Sequence, residues 1–474
     1  MSTTSTPLLP SRNGDAKSGP NYSSYISAIS NLSIQYNLSV IGIALLIMDP
    51  EGDDDANPPL YPKTESQDSL LKSSVFAGAV LGQAVMGGLG DIIGRGPAMM
   101  VTNAFTLVGA LLCSLATWGG DGVYWELIGY RFLLGIGIGG KYPLSATVRA
   151  EGVQTGEHRS TEVAKGFFWQ TPGVILPYLV AWILVKSFGE DKNGANYPGI
   201  TEAQFRILFG AGAVPSAIVI YLTYLQFRGK KRERTGSENI VKVAFRNPQL
   251  WRKLFGTGMT WCLYDFVYYG TAFNQPDIIN AVFGKDESIV ENCEHNILLA
   301  SMGLPGVLLA IWNLERLGSK RLMTWGFVAI GVASVALAVS FSYAADNNIL
   351  NFLLTCFMVF ATNWGCNVAT YVLPTESFPV EVRSSFYGLS AAAGKVGAFL
   401  GGYFFKQVAD AYGYPIIYVI CAILSALGVG VSSGSIFPFW DDNFFGTTVR
   451  ESDPYVRRST NNTDNSKGEM ISAA

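Results

Sequence analysis

The sequence predicts an all-α membrane protein with twelve transmembrane helices in two six-helix halves. Three observations carry that prediction. Apolar runs near the ~20 residues that cross a bilayer recur from end to end. Only 15% of the 474 residues are charged, where a soluble domain has about 25%. The third observation is a set of landmarks that repeats in the two halves of the chain. A loop holding Gly90, Asp91, Gly94 and Arg95 follows the second run, and one holding Glu315, Gly318, Lys320 and Arg321 follows the eighth. Glu151 and Arg159 follow the fourth run; Glu376 and Arg383 follow the tenth. Asp91 and Glu315 are 224 residues apart, and Glu151 and Glu376 are 225 apart. Two landmarks with nearly one offset point to a parallel duplication of six spans. A pseudo-two-fold axis along the membrane normal follows, with a binding site between the halves near the midplane.

The spans fall at about residues 25–48, 71–90, 98–118, 123–147, 163–187, 203–227, 252–274, 295–314, 322–343, 349–373, 385–407 and 413–438. The chain then divides into an N-terminal tail (1–24), a first half (25–227), a central loop (228–251), a second half (252–438) and a C-terminal tail (439–474). Charge gives the orientation. Nine cations crowd residues 228–253, and others occupy 149–165 and 316–321. Acids crowd 49–55, 190–191 and 286–294. Because cytosolic loops are enriched in Lys and Arg, both tails and the central loop are expected in the cytosol. The first 24 residues are polar and lack an apolar core, so no cleavable signal peptide is expected.

Composition excludes several classes of function. The net charge of −3 comes with no basic patch, so no nucleic acid partner is expected. The two histidines stand apart, and five of the six cysteines lie within apolar runs. No disulfide framework, metal site or cofactor site follows. No nucleophile stands beside a base, so no catalytic residue and no enzyme is expected.

The chemistry rests on polar residues inside the spans. Lys141 ends a glycine-stepped run (Gly135, Gly137, Gly139, Gly140) that thins a helix so that another helix or a substrate can approach. A lysine at membrane depth is a functional-site hypothesis: a cation for an anionic substrate, or a partner for Asp265. Its structural alternative is snorkelling to the cytosolic interface. Trp261, Asp265 and Tyr269 are spaced i, i+4, i+8, on one helical stripe. That stripe reads as a carboxylate held away from water that binds and releases a proton, walled by N–H and O–H donors. Gln170 and Asn367 are neutral amides near mid-span, able to donate to an oxyanion or to tie two helices together. Lys395 is a second cavity cation or a helix-packing charge. Asp91, Arg95, Glu151, Arg159, Glu376 and Arg383 flank cytosolic helix ends, where charge pairs would hold that face shut.

The duplicated twelve-span pattern, with Gly90, Asp91, Gly94 and Arg95 in the first repeat's loop, resembles the major facilitator superfamily. Within it the chain is similar to the phosphate:proton symporter family over about residues 25–440. Four stretches carry the resemblance: Gly139 to Ala146; Trp169 with Gln170; Trp261, Asp265 and Tyr269; and a long motif from Asn367 through Thr370, Tyr371, Pro374, Glu376, Phe378, Pro379 and Arg383 to Gly394, Lys395 and Gly397. By this resemblance Tyr142, Gln170, Trp261, Asp265, Tyr269 and Asn367 match phosphate-contacting positions. Two departures stand out. Asn37 occupies a position where the family has Asp, and so does Lys141.

The resemblance implies a secondary transporter working by alternating access, moving inorganic phosphate or a related anion with protons. The alternatives are an organic-anion or phosphoester transporter with altered coupling, and a non-transporting nutrient receptor. The bilayer, protons and a small anion are the expected partners, and the plasma membrane is expected over vacuolar or endosomal membranes.

Overall fold

The computed structural model describes residues 21–49, 61–117, 119, 122–151, 159–189, 198–228, 247–284, 288–379 and 382–434. The tails, most of the central loop and the expected acids at 51–55, 190–191 and 286 lie outside the described residues, as does the side chain of Glu151.

Sixteen α-helices follow in chain order among the described residues. The first half holds α1 (Ser23–Met48), α2 (Glu65–Ile93), α3 (Arg95–Ser114), α4 (Gly122–Glu151), α5 (Arg159–Phe167), α6 (Gln170–Phe188), α7 (Pro198–Ala211) and α8 (Ala213–Phe227). The second half holds α9 (Pro248–Phe273), α10 (Gln275–Phe283), α11 (Ile289–Ser301), α12 (Gly303–Tyr343), α13 (Asn348–Asn363), α14 (Cys366–Ser377), α15 (Arg383–Tyr412) and α16 (Tyr414–Ser433). Local chemistry sets several starts. Thr64 with Gln67, and Ser288 with Glu291, form reciprocal capping boxes. Asn247 caps α9, with Pro248 pre-set for the first helical position.

These helices make the twelve expected spans. The fifth is built from α5 and α6, the sixth from α7 and α8, and the tenth from α13 and α14. The eighth and ninth join without a loop: α12 runs 41 residues and bends at Gly318, whose φ of 75° suits a residue without a Cβ. Eight segments pass a length-and-hydropathy test for crossing a bilayer, and one of them, Ile289–Tyr343, is long enough to cross twice. Besides the short α10, the helices below that test are α4, α9 and α15, which carry Lys141, Asp265 and Lys395. The short α10 was not expected.

The two halves meet where α2 packs on α15 and α6 on α11. The first helix, α1, lies at the centre and is buried on nearly every face, whereas peripheral helices such as α16 turn about half their surface outward. Outward residues are apolar, for example Val332, Val335 and Val339 along α12. The glycine run of α4 serves helix contact: a Cβ at Gly139 would collide with the carbonyl oxygen of Ala79 on α2, and one at Gly137 with Thr106 on α3. Gly139→Val is therefore expected to destabilise the fold by about 3 kcal/mol or more, because backbone cannot yield as a side-chain tip can. Yield of monodisperse protein and thermal melting in detergent check this.

Candidate functional site

Tyr142 on α4, Gln170 at the start of α6, Trp261, Asp265 and Tyr269 on α9 and Lys395 on α15 converge between the halves. Each is at most 3% exposed. The i, i+4, i+8 spacing on α9 turns its three side chains the same way, as expected. Lys395 is the hub. Its Nζ donates to Asp265 Oδ2 at 2.8 Å and to the Tyr269 hydroxyl at 3.1 Å. It also lies 4.2 Å and 4.8 Å from the ring centroids of Tyr269 and Tyr142, where the ring quadrupoles attract a cation.

Tyr269 and Tyr142 hydroxyls meet at 3.2 Å across the two halves, and Gln170 Nε2 donates to Tyr142 at 3.2 Å. Trp261 sets its ring edge-on to Tyr142 and Tyr387, at 6.2 Å and 5.7 Å between centroids. The Gln170 carbonyl oxygen and the buried Tyr264 hydroxyl have no partner among the described residues. Buried polar atoms are normally paired, so both keep hydrogen-bonding capacity to spare. Gln170 sits where the fifth span breaks, at Phe168 and Trp169. Asn367 begins the second segment of the tenth span and donates to Asn363 Oδ1 at 2.9 Å. Asn363 lines a small cavity with Tyr268, Gln275 and Thr171, and none of the residues around Lys395 lines it.

Lys141 is not in this cluster. Its Nζ donates to Ser33 Oγ at 2.8 Å and Ser216 Oγ at 3.0 Å, inside the first half. The partner of Asp265 is Lys395 instead. The reason is azimuth: Lys141 and Tyr142 are consecutive, about 100° apart around the helix, and Tyr142 takes the inward direction. Nor does Lys141 snorkel, since its surface is fully buried.

Sequence reasoning missed Gln35. Its Nε2 donates to the Tyr268 hydroxyl at 3.0 Å, and its Oε1 accepts from Tyr269 at 3.3 Å. It missed Tyr371, whose hydroxyl meets Ser145 at 3.0 Å and Asn31 at 3.4 Å. The i, i+4 amides Asn31 and Gln35 inside an apolar run were the signal. Arg131 was missed too. It is fully buried, and donates to the backbone carbonyls of Leu71 and Asn37.

Both faces are latched between the halves. At the face holding the turn between α2 and α3, Asp91 pairs with Arg95 in its own half and accepts from the Ser385 backbone N–H at 3.0 Å across the divide. Glu376 accepts from Ser160, and Glu315 from Thr161 at 2.8 Å. Hydroxyls thus take several of the places expected for charge pairs. Arg383 Nε donates to the Phe378 carbonyl within its own half. Arg159 opens α5 beside Ser160. The opposite face has a latch the sequence did not reveal. Lys72 on α2 bridges Asp68 and Asp277 at 2.9 Å each, donates to Asn274 at 3.0 Å, and shares Asp277 with Lys406 on α15. With both faces joined, the site is occluded.

The family described as "Sugar (and other) transporter" matches residues 24–226 and 226–432. "Inorganic phosphate transporter PT2" of Toxoplasma gondii is 34% identical over 428 residues, covering 88% of this chain and 72% of that protein. "Low affinity inorganic phosphate transporter 1" of Petunia hybrida is 28% identical, covering 81% and 83%. Among solved structures, the major facilitator proton:xylose symporter XylE aligns with a TM-score of 0.69 at 17% identity, covering 86% of this chain and 94% of that one. The chain belongs to the sugar (and other) transporter family, a major facilitator fold, and groups within it with inorganic phosphate transporters.

Proposed function

We propose that the protein is a secondary active transporter that moves inorganic phosphate, or a closely related anion, together with protons by alternating access. The observation that carries this reading is the Lys395 ammonium, held on Asp265 inside a ring of tyrosine, tryptophan and amide donors between two latched halves. An entering oxyanion competes with Asp265 for Lys395. The displaced carboxylate, left in a medium that poorly solvates charge, takes up a proton. Anion and proton then occupy the site together, and neither moves alone. Tyr142, Tyr269, Gln170 and Trp261 supply the donors that a tetrahedral oxyanion requires. The names of the phosphate-transporting relatives favour phosphate as the cargo.

The distribution of cations favours cytosolic tails, and the reading places the protein in the plasma membrane. Purified protein in vesicles tests the function: labelled phosphate should accumulate under an inward proton gradient, and a protonophore should abolish the accumulation. Stoichiometric binding without flux would instead identify a receptor.

The cytosolic latch gives a separate expectation. Asp91→Asn weakens charge-assisted bonds to Arg95 and to Ser385, each worth about 1.5–3 kcal/mol. The balance should move toward the inward-open state by about tenfold or more. Cysteine accessibility measured from each side reads that balance. An unchanged balance would make Asp91 an ordinary helix-end residue.

A further inference from the structure

An apolar layer separates the Lys395–Asp265 pair from the Lys72 latch. Three helices give the same order along their length. On α2, Phe76 follows Lys72 by four residues and shares its helical face. On α9, Phe273 follows Tyr269 by four residues and directly precedes Asn274, which accepts from Lys72 at 3.0 Å. On α15, Gly402 stands seven residues beyond Lys395 and four before Lys406. Latch, layer and binding ring are therefore stacked along the axis, with one helical turn, about 6 Å, between latch and layer.

Phe76 fills the layer. Its ring stacks on Phe273 at 5.0 Å between centroids and meets Tyr269 at 4.8 Å. Lys395 Nζ lies 5.9 Å from its centroid. A Cβ at Gly402 would sit 3.6 Å from the ring, so Phe76 rests against the α15 backbone. Both phenylalanines are buried. Phe76 belongs to the first half, whereas Phe273, Tyr269, Lys395 and Gly402 belong to the second, so this contact spans the divide that must part. The other side of the ring differs in kind. One turn toward Glu376, the Tyr371 hydroxyl meets Ser145 and Asn31. Those groups exchange hydrogen bonds, and two phenylalanine rings offer none.

An apolar constriction excludes water, and with it protons and ions. We propose that Phe76 is a positioning residue of the transport cycle. It seals the Lys395–Asp265 pair from the Lys72 face, so Asp265 takes a proton from that side only when the halves part to admit cargo. This rests on the proton-coupled reading above, and adds the residue that makes proton entry and cargo entry a single event.

Phe76→Ala removes the ring and leaves the hydrogen bonds around Lys395 in place. In vesicles without phosphate, a preset pH gradient should collapse at least about fivefold faster with Phe76→Ala than with wild type. Gradient-driven accumulation of labelled phosphate should fall about tenfold, while phosphate exchange at equal pH stays within about threefold of wild type. Phe76→Leu, which keeps an apolar side chain in the layer, should hold the gradient as wild type does. A folded Phe76→Ala protein that holds the gradient would overturn the inference. So would accumulation and exchange that fall together without a leak, because they mark a residue needed only for packing. If Phe76→Ala does not fold, Phe273→Ala thins the same layer from α9 and should leak likewise; a gradient held there would overturn the inference as well. The leak is read without phosphate, so it stands apart from the transport reading, which wild-type vesicles that take up no phosphate would sink.

Discussion

Asp265→Asn is expected to abolish proton-driven accumulation while the site still binds anion. The wild-type carboxylate has two tasks, to hold Lys395 at 2.8 Å when no cargo is present and to carry the proton when cargo displaces it. An amide keeps the shape and one hydrogen bond to Lys395, but neither competes strongly for the ammonium nor titrates. Uphill uptake should fall to background, a loss of at least about a hundredfold or 2.7 kcal/mol in driving terms. Binding should tighten severalfold, because the anion no longer has to displace a charged rival. Removing one partner of a buried pair leaves the other uncompensated and costs about 3–5 kcal/mol, so the empty variant should melt earlier and regain stability on adding phosphate. Uptake under a proton gradient, exchange without one, and ligand-dependent melting form the test. Wild-type accumulation in the Asn variant would remove Asp265 from the coupling step.

Asp277→Asn is expected to release the outer face. Asp277 sits on α10, beyond the seventh span, and accepts from Lys72 at 2.9 Å and Lys406 at 3.0 Å. The amide keeps little of either charge-assisted bond, worth about 1.5–3 kcal/mol each. The outward-open population should rise by tenfold or more, read as faster labelling of a cysteine placed on the outer side of the cavity. The pH response has a defined sign. Burial pushes the Asp277 carboxyl up, but the two ammonium groups outweigh it and hold it well below the ordinary carboxylate range. A depressed value means the latch is intact at neutral pH and is lost only as pH falls through that low value. Mild acidification outside the membrane should therefore leave the outer latch closed, and wild-type cysteine labelling should be flat over that range. A labelling rate that rises between neutral and mildly acidic pH would contradict this.

Much of the architecture was legible because its signals are long. Twelve apolar runs and a repeated landmark need no knowledge of side-chain partners. The stripe of Trp261, Asp265 and Tyr269 was legible for the same reason: a spacing of four fixes a shared direction on a helix. What sequence does not give is the direction of an isolated residue. Lys141 and Lys395 looked alike, each a lysine beside glycines at similar depth, yet one faces Asp265 and the other faces Ser33 and Ser216. Depth follows from counting residues along a helix, whereas azimuth depends on how that helix is turned against its neighbours. The break at Phe168 and Trp169 did have a signal, Pro172, which has no N–H for the Phe168 carbonyl four residues back. The outer latch was hidden because Lys72 and Asp277 are 205 residues apart and lie on opposite halves.

The binding ring largely bonds to itself. Tyr142 meets Tyr269, Tyr269 reaches Gln35 and Lys395, and Lys395 holds Asp265. A carrier whose central side chains bond mostly to one another has a low-energy way to return without cargo. Obligatory exchangers lack that way back, because their vacant form leaves charges facing nothing. This molecule is accordingly expected to run net import into vesicles that start with none of the substrate inside. Preloading the lumen with unlabelled substrate should speed entry of label only slightly, so trans-stimulation should be weak.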